Sequence, residues 1–233
     1  MTEKIIEFVS YDKSAEINYP PVPVSKIIPT WYKDTPLFFK HDDGITKNDT
    51  VPTIKKCVPV LDYLTCGYVL LNAYETEIRF EPDEDGVLLP RHICPANDYV
   101  SGHPFGQAPV LMNGVKNHYF KISNPWKVIT PPGYSCHFYP PFFTLNENFR
   151  MFPAIVDTDK HDDAVNLVGV GLKRKFTIQP GEPLMIVYPF KRDDWRMRTS
   201  HDNFTLKNNY KYWIKNLWHG TYSRLFHSKK KFR

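Results

Sequence analysis

Between Thr76 and Glu81 apolar and polar positions alternate without a break. Thr76, Ile78 and Phe80 fall on one side and Glu77, Arg79 and Glu81 on the other, the period-2 pattern of a half-buried strand. Pro82-Asp83-Glu84-Asp85-Gly86 then supplies turn residues before Val87-Leu88-Leu89, so a strand, a turn and a second strand are expected. Further strands are predicted over His118–Ile122, Trp126–Thr130, Tyr134–Tyr139, Ala164–Val170, Lys175–Ile178 and Leu184–Phe190. Turn residues separate them at the spacing of an antiparallel barrel or sandwich.

Helical spacing occurs in two places. In the stretch 57–66, Pro59 suits a first turn, Cys57, Val60, Leu61 and Leu64 share a face, and Gly67 can stop the helix. Near the end, Leu206, Tyr210, Trp213, Ile214, Leu217 and Trp218 form an apolar stripe, flanked by Lys207, Lys211 and Lys215. Tyr19-Pro20-Pro21-Val22-Pro23-Val24 cannot be helical, because each proline pushes its predecessor into extended geometry, and is expected as an edge strand or polyproline-like segment. Ile28-Pro29-Thr30-Trp31 reads as a short aromatic-anchored turn, and His41 to Asp49 as an exposed polar loop. The fold class expected is therefore mainly β and antiparallel, with one short helix near 57–66 and a C-terminal amphipathic helix. A β-rich body over 1–198 would carry an arm over 199–233.

Composition supports a folded chain. In 233 residues, 42% are hydrophobic and 15% aromatic, and such a length buries about 70% of its unfolded surface. The 21 prolines argue against a simple helical bundle. No apolar run reaches about 18 residues, and the opening Met1-Thr2-Glu3-Lys4 lacks the layout of a secretory signal, so the expectation is neither secretion nor a membrane partner. Charge is uneven. From Lys191 onward there are 12 Lys and Arg against three Asp, a net of +9, which leaves the first 190 residues at −4. That asymmetry marks residues 199–233 as a docking arm or a helix packed on the body. Read as an arm, its partner-binding residues are Tyr210, Trp213, Leu217, Trp218, Lys229, Lys230 and Lys231. Nucleic acid is a second partner class, with lysines for phosphates and rings for stacking, although helical spacing puts Tyr210 and Trp213 in the apolar stripe.

Candidate chemistry is sparse. Cys57, Cys66, Cys94 and Cys136 are scattered with no C-x-x-C pair, and His92-Ile93-Cys94-Pro95 does not supply the zinc deaminase signature. Neither a metal nor a cofactor is expected. His161-Asp162-Asp163 and His201-Asp202 could begin a His-carboxylate iron site of the jelly-roll oxygenase type, but such a site needs a second distant histidine. Ser135 and His137 share a strand face without an acid partner in sequence, and Gly169-Val170-Gly171 lacks the third glycine of a dinucleotide loop.

Thr130-Pro131-Pro132-Gly133-Tyr134-Ser135, then Ala154-Ile155-Val156-Asp157-Thr158-Asp159, then Phe176 to Val187 (FTIQPGEPLMIV) stand in a telling order. This order resembles the β-clip core of the dUTPase and dCTP deaminase superfamily. The resemblance implies a β-clip or jelly-roll-like body; no catalytic residue is expected, and Asp157 and Ser135 are the candidates only if the chain is an enzyme. The first aspartate of that hairpin orders the attacking water in the family. Three departures count against the activity: Lys160 stands where an aromatic stacks on the sugar, Pro132-Gly133-Tyr134 replaces the phosphate-facing Arg-Ser-Gly, and the glycine-rich lid is missing.

A second resemblance spans most of the chain. Trp31-Tyr32-Lys33, Lys56-Cys57-Val58-Pro59, Gly67-Tyr68, Val156 to Asp159 and Pro189-Phe190-Lys191-Arg192 are similar to uncharacterised proteins of tailed bacteriophages of aquatic bacteria. The expectation is a non-enzymatic virion or assembly protein contacting other phage subunits or itself, located in the virion or the host cytoplasm. The alternatives are a nucleotide-binding or nucleotide-hydrolysing β-clip protein and an iron-dependent oxygenase.

Overall fold

Alternation becomes burial at Thr76–Pro82. In the computed structural model, Thr76, Ile78 and Phe80 are buried while Glu77 and Arg79 are half-buried and Glu81 is exposed. The structure describes residues 4–41, 49–86, 88–102, 119–144, 146–201 and 221–233. In chain order the first elements are β1 (Glu7–Ser10), α1 (Lys13–Asn18), β2 (Val22–Pro23), α2 (Thr30–Asp34), β3 (Phe38–His41), β4 (Asp49–Pro52) and α3 (Val58–Tyr63). Then come β5 (Tyr68–Leu71), β6 (Thr76–Pro82), β7 (Leu88–Ile93), β8 (Val100–Gly102), β9 (Tyr119–Ile122), β10 (Trp126–Ile129) and β11 (Tyr134–Tyr139). The last are β12 (Phe149–Met151), β13 (Ala154–Val156), β14 (Leu167–Gly171), β15 (Lys175–Ile178), β16 (Pro183–Lys191) and α4 (Thr221–Leu225).

The chain forms two compact units. The first joins Met1–Pro23 to Gly67–Arg192, and the second joins Val24–Cys66 to Asp193–Arg233.

In the first unit all ladders are antiparallel. A five-stranded sheet runs β13-β11-β16-β5-β2, a four-stranded one β12-β14-β9-β8, a three-stranded one β15-β6-β7, and β1 pairs with β10. Side chains from the three larger sheets meet in one core, including Phe80, Phe120, Phe138, Phe149, Phe176 and Met185. This is a mainly β, sandwich-like architecture. Of the barrel and the sandwich that the turn spacing allows, the sandwich fits: among the described residues no barrel closes, since each of these sheets has two open edges. Closure fails locally because the strands beside the large sheet are only two or three residues long at β2 and β13, too short to carry a ladder round.

The cluster of Phe80, Phe120, Phe149 and Phe176 rings explains the Gly169–Gly171 pattern. A Cβ on Gly169 would lie 2.6 Å from Phe120 Cζ, and one on Gly171 would lie 2.5 Å from Phe80 Cε2. These glycines let β14 pass directly under aromatic rings, a packing role rather than a phosphate-binding one.

In the second unit β3 and β4 pair on either side of the expected polar loop, whose residues 42–48 lie outside those described. The short helix forms as α3 with Cys57 at its N-cap, Pro59 in its first turn and Leu64 as C-cap. Its expected apolar face is only partly covered. Leu64 is buried, but Cys57 and Leu61 are exposed, because the helix stops after six residues and Cys57 stands outside its first turn. The C-terminal amphipathic helix, with Tyr210, Trp213, Leu217 and Trp218, lies outside the described residues; beyond it α4 covers five residues and the lysine tail is irregular. Among the described residues no helix is long and apolar enough to cross a membrane.

Candidate functional site

Three chain segments converge at one end of β11. The register Cys136↔Val156 between β11 and β13 brings Ser135 level with Asp157, just past the end of β13. The register Tyr134↔Lys191 between β11 and β16 delivers Arg192 to the turn before β11, where its backbone N–H donates to the Gly133 carbonyl at 2.9 Å. Asp157 opens a tight turn, its carbonyl accepting from the N–H of Lys160 and of His161 at 2.9 Å each. That turn aims Asp157 and Asp159 at the same place.

Asp157 and Ser135, the two residues singled out for the case of an enzyme, stand in contact. Ser135 Oγ donates to Asp157 Oδ1 at 2.6 Å. Arg192 completes the group. Its Nη1 donates to Ser135 Oγ at 2.9 Å, to the Tyr134 carbonyl at 2.8 Å and to Asp159 Oδ1 at 2.8 Å, and its Nη2 donates to Asp159 Oδ2. Asp159 Oδ2 also accepts from Gly133 N–H at 2.8 Å. The Asp159 side chain is 5% exposed and the Asp157 side chain 54% exposed, while Ser135 is fully buried. Beneath them Thr130 and Thr158 share a hydroxyl contact of 2.7 Å, and Thr158 Oγ1 donates to Cys136 Sγ. Burial pushes the Cys136 thiol up to about 11, which keeps it protonated and inert at neutral pH.

This geometry is a staple. A serine nucleophile needs an exposed Oγ and a base that can take its proton, yet Ser135 is sealed from solvent and already has a donor and an acceptor. The guanidinium that could grip a phosphate is forked onto Asp159. The Arg192 hydrogen bonds hold the Asp159 carboxyl well below its ordinary 3.8, at about 2, against the opposing effect of desolvation. Because its folded value is depressed, the stabilisation from Asp159 is complete above about pH 3.8 and drains away as pH falls towards 2. Unfolding midpoints of the wild type and Asp159→Asn should therefore differ at pH 5 and converge as the pH is lowered through that window. A constant difference across it would show that the fork is not what stabilises the wild type.

The other sequence candidates fall elsewhere. His137 lies on the same strand face as Ser135, as its spacing predicts, but its ring packs on Tyr139 at 4.9 Å. His161 Nδ1 lies 2.9 Å from the Asp163 carbonyl, and Asp162 forms an ion pair with Lys127. Among the described residues no three His, Cys, Asp or Glu side chains stand together as a metal site. In the basic tail Lys229 and Lys231 are exposed, whereas Lys230 Nζ donates to Asp62 Oδ2 at 2.5 Å, beside His227 Nε2 at 3.0 Å from Oδ1. Burial pushes the Asp62 carboxyl up, but the Lys230 and His227 contacts outweigh it and hold the group below its ordinary value.

Sequence reasoning missed Arg192 as a site residue. The available signal was its position directly after the last core strand, at the point where the chain turns strongly basic. No protein-family model matches the chain, and no curated protein matches it.

Proposed function

We propose that this protein is a non-enzymatic component of a phage particle or of its assembly, acting through contacts with other subunits. The observation that carries this reading is the segment Asp193–His201, which has no helix or strand and holds Trp195 at 85% and Met197 at 92% exposure. Single exposed apolar residues are ordinary, but an indole and a thioether two positions apart on an irregular, arginine-flanked segment would suit a peptide-like contact arm. The phage setting rests on the resemblance described above. The stapled corner at Ser135 and Asp157 supports a non-enzymatic role, since its polar groups are spent on one another.

Mass spectrometry of purified particles should find this polypeptide at a fixed copy number. The double variant Trp195→Ser/Met197→Ser should fold normally and fail to incorporate. Unchanged incorporation would refute the arm, and absence of the wild-type chain from particles would refute the role. The contact between Ser135 and Asp157 favours one second reading, nucleotide binding at the β-clip corner. A nucleotide at a hundred times its dissociation constant would add about 2.7 kcal/mol of stability, so a thermal-shift series with deoxynucleotides decides between the two.

A further inference from the structure

The three-stranded sheet of the first unit turns one face to the core and the other to solvent. On the core side Ile78, Phe80 and Phe176 are all buried. On the solvent side the registers Lys175↔Arg79 and Arg79↔Arg91 set three cations in one row across β15, β6 and β7. Neighbouring strands lie about 4.8 Å apart, and like charges placed directly opposite destabilise a sheet. One carboxylate relieves the row. Glu77 Oε2 lies 3.2 Å from Lys175 Nζ, and Glu77 Oε1 accepts from Arg79 Nε. Arg91 is exposed and has no ion pair among the described residues. Lys173 and Arg174, also exposed, lead into β15, and the Arg174 carbonyl accepts from Phe80 N–H at 2.9 Å.

The same hairpin ends in the opposite charge. Past Glu81, the turn between β6 and β7 carries Asp83, Glu84 and Asp85, the last two exposed. At about 3.4 Å per residue, this acidic turn stands roughly 14–17 Å along the strands from the cationic row. Midway between them is the pair Glu81↔Leu89, with Leu89 exposed. A hairpin with a cationic base and an anionic tip does not suit a long polyanion, which would have to run past the carboxylates of Glu81, Asp83, Glu84 and Asp85. It suits a body with the same polarity reversed.

We propose that this face binds the same face of a second copy of this chain, about a two-fold axis that crosses the strands at the level of Leu89. Rotation about that axis reverses strand direction and lays each hairpin on its counterpart. The acidic turn of one copy then covers Arg79 and Arg91 of the other, and the reverse, while Leu89 meets its own symmetry mate at the centre. Every contact occurs twice, the isologous arrangement of a C2 dimer. Facing sheets pack about 10 Å apart, a gap that arginine and carboxylate side chains reaching from both sides can span. The dimer extends the subunit-contact reading above to a second surface, separate from the Trp195 arm. Being small and charge-driven, it is weak and salt-sensitive.

Sedimentation velocity on the full-length chain tests it. The wild type should self-associate at low ionic strength, and the dimer should fade as salt is raised. Arg91→Glu and Glu84→Lys should each weaken it roughly ten-fold, since each change enters the dimer twice. Arg91→Gln and Glu84→Gln, milder for the fold, should each weaken it less. Mixing the Arg91→Glu and Glu84→Lys chains is the decisive step. In the mixed dimer the two reversed charges face each other at one contact and the native pair is intact at the other, so association should return to about the wild-type level. A wild type that stays monomeric, single changes without effect, or a mixture as monomeric as its components would each overturn the proposal. A monomeric wild type that binds heparin through Arg91 would overturn it in favour of a polyanion partner. If the chain is found in particles but does not dimerise, the particle role stands and only this contact falls. If it dimerises as described but is absent from particles, the dimer stands without the phage role.

Discussion

Replacing Gly67 with Ala is expected to destabilise the protein by about 3 kcal/mol. Two independent effects add at this residue. Its φ is +90°, a left-handed backbone that costs a residue with a Cβ roughly 1–2 kcal/mol. A Cβ here would also lie 2.6 Å from the Val187 carbonyl oxygen and 3.3 Å from Ile186 Cγ2. Val187 pairs with Tyr68 in the middle of the five-stranded sheet, so the oxygen cannot withdraw without breaking the β5–β16 ladder. Overpacking of that kind adds roughly 1–3 kcal/mol. In a chain of this size 3 kcal/mol corresponds to a fall in melting temperature of roughly 6–12 °C. Gly86→Ala provides the control, because Gly86 has φ +75° but nothing within 4 Å of the added Cβ. Thermal unfolding should show a clearly smaller loss for Gly86→Ala. Equal losses would mean that backbone strain alone operates at both positions.

The second large effect is expected at Asn72, a fully buried side chain that serves four groups. Its Nδ2 donates to the carbonyls of Tyr74 at 2.6 Å, Ile178 at 3.0 Å and Gln179 at 3.3 Å, and its Oδ1 accepts from the Tyr99 hydroxyl at 2.8 Å. That hydroxyl in turn accepts from Ala73 N–H at 3.1 Å. Burial pushes the Tyr99 phenol well above its ordinary value, so it stays a neutral donor at every working pH. Asn72→Ala leaves several buried polar groups without partners, each costing about 1–3 kcal/mol, for an expected total of roughly 3–5 kcal/mol by urea unfolding. Tyr99→Phe removes one end of the same node and should cost less. In the double variant the losses should fall short of additive, since the second change removes a group the first has already orphaned. Strict additivity would show that the two residues stabilise the fold separately.

The sequence made the half-buried strands plain and hid the rest for definite reasons. Strands β6, β11 and β15 were legible because their residues alternate, or fill four to seven positions between turn residues, and their observed limits match to within a residue. Val22–Pro23 was expected as an edge segment from its prolines and lies at the edge of the five-stranded sheet. Strand β5 was not legible, since Tyr68-Val69-Leu70-Leu71 is an apolar run without alternation, nor were β8 and β12, which are three residues long. The singling out of Ser135 and Asp157 followed from the order of turn and hairpin segments, although their contact with each other did not. The role of Arg192 did not, because a residue 33 positions from Asp159 meets it only through strand registers that no local pattern encodes.

The short prolines-and-hairpin margins of the large sheet have one more consequence. Pro20, Pro21 and Pro23 strip amide hydrogens from the β2 margin, and β13 at the opposite margin is three residues long, with Pro153 just before it. Neither flank offers a foreign backbone a useful row of donors and acceptors. This layer is thus guarded against fibril-like growth by strand recruitment.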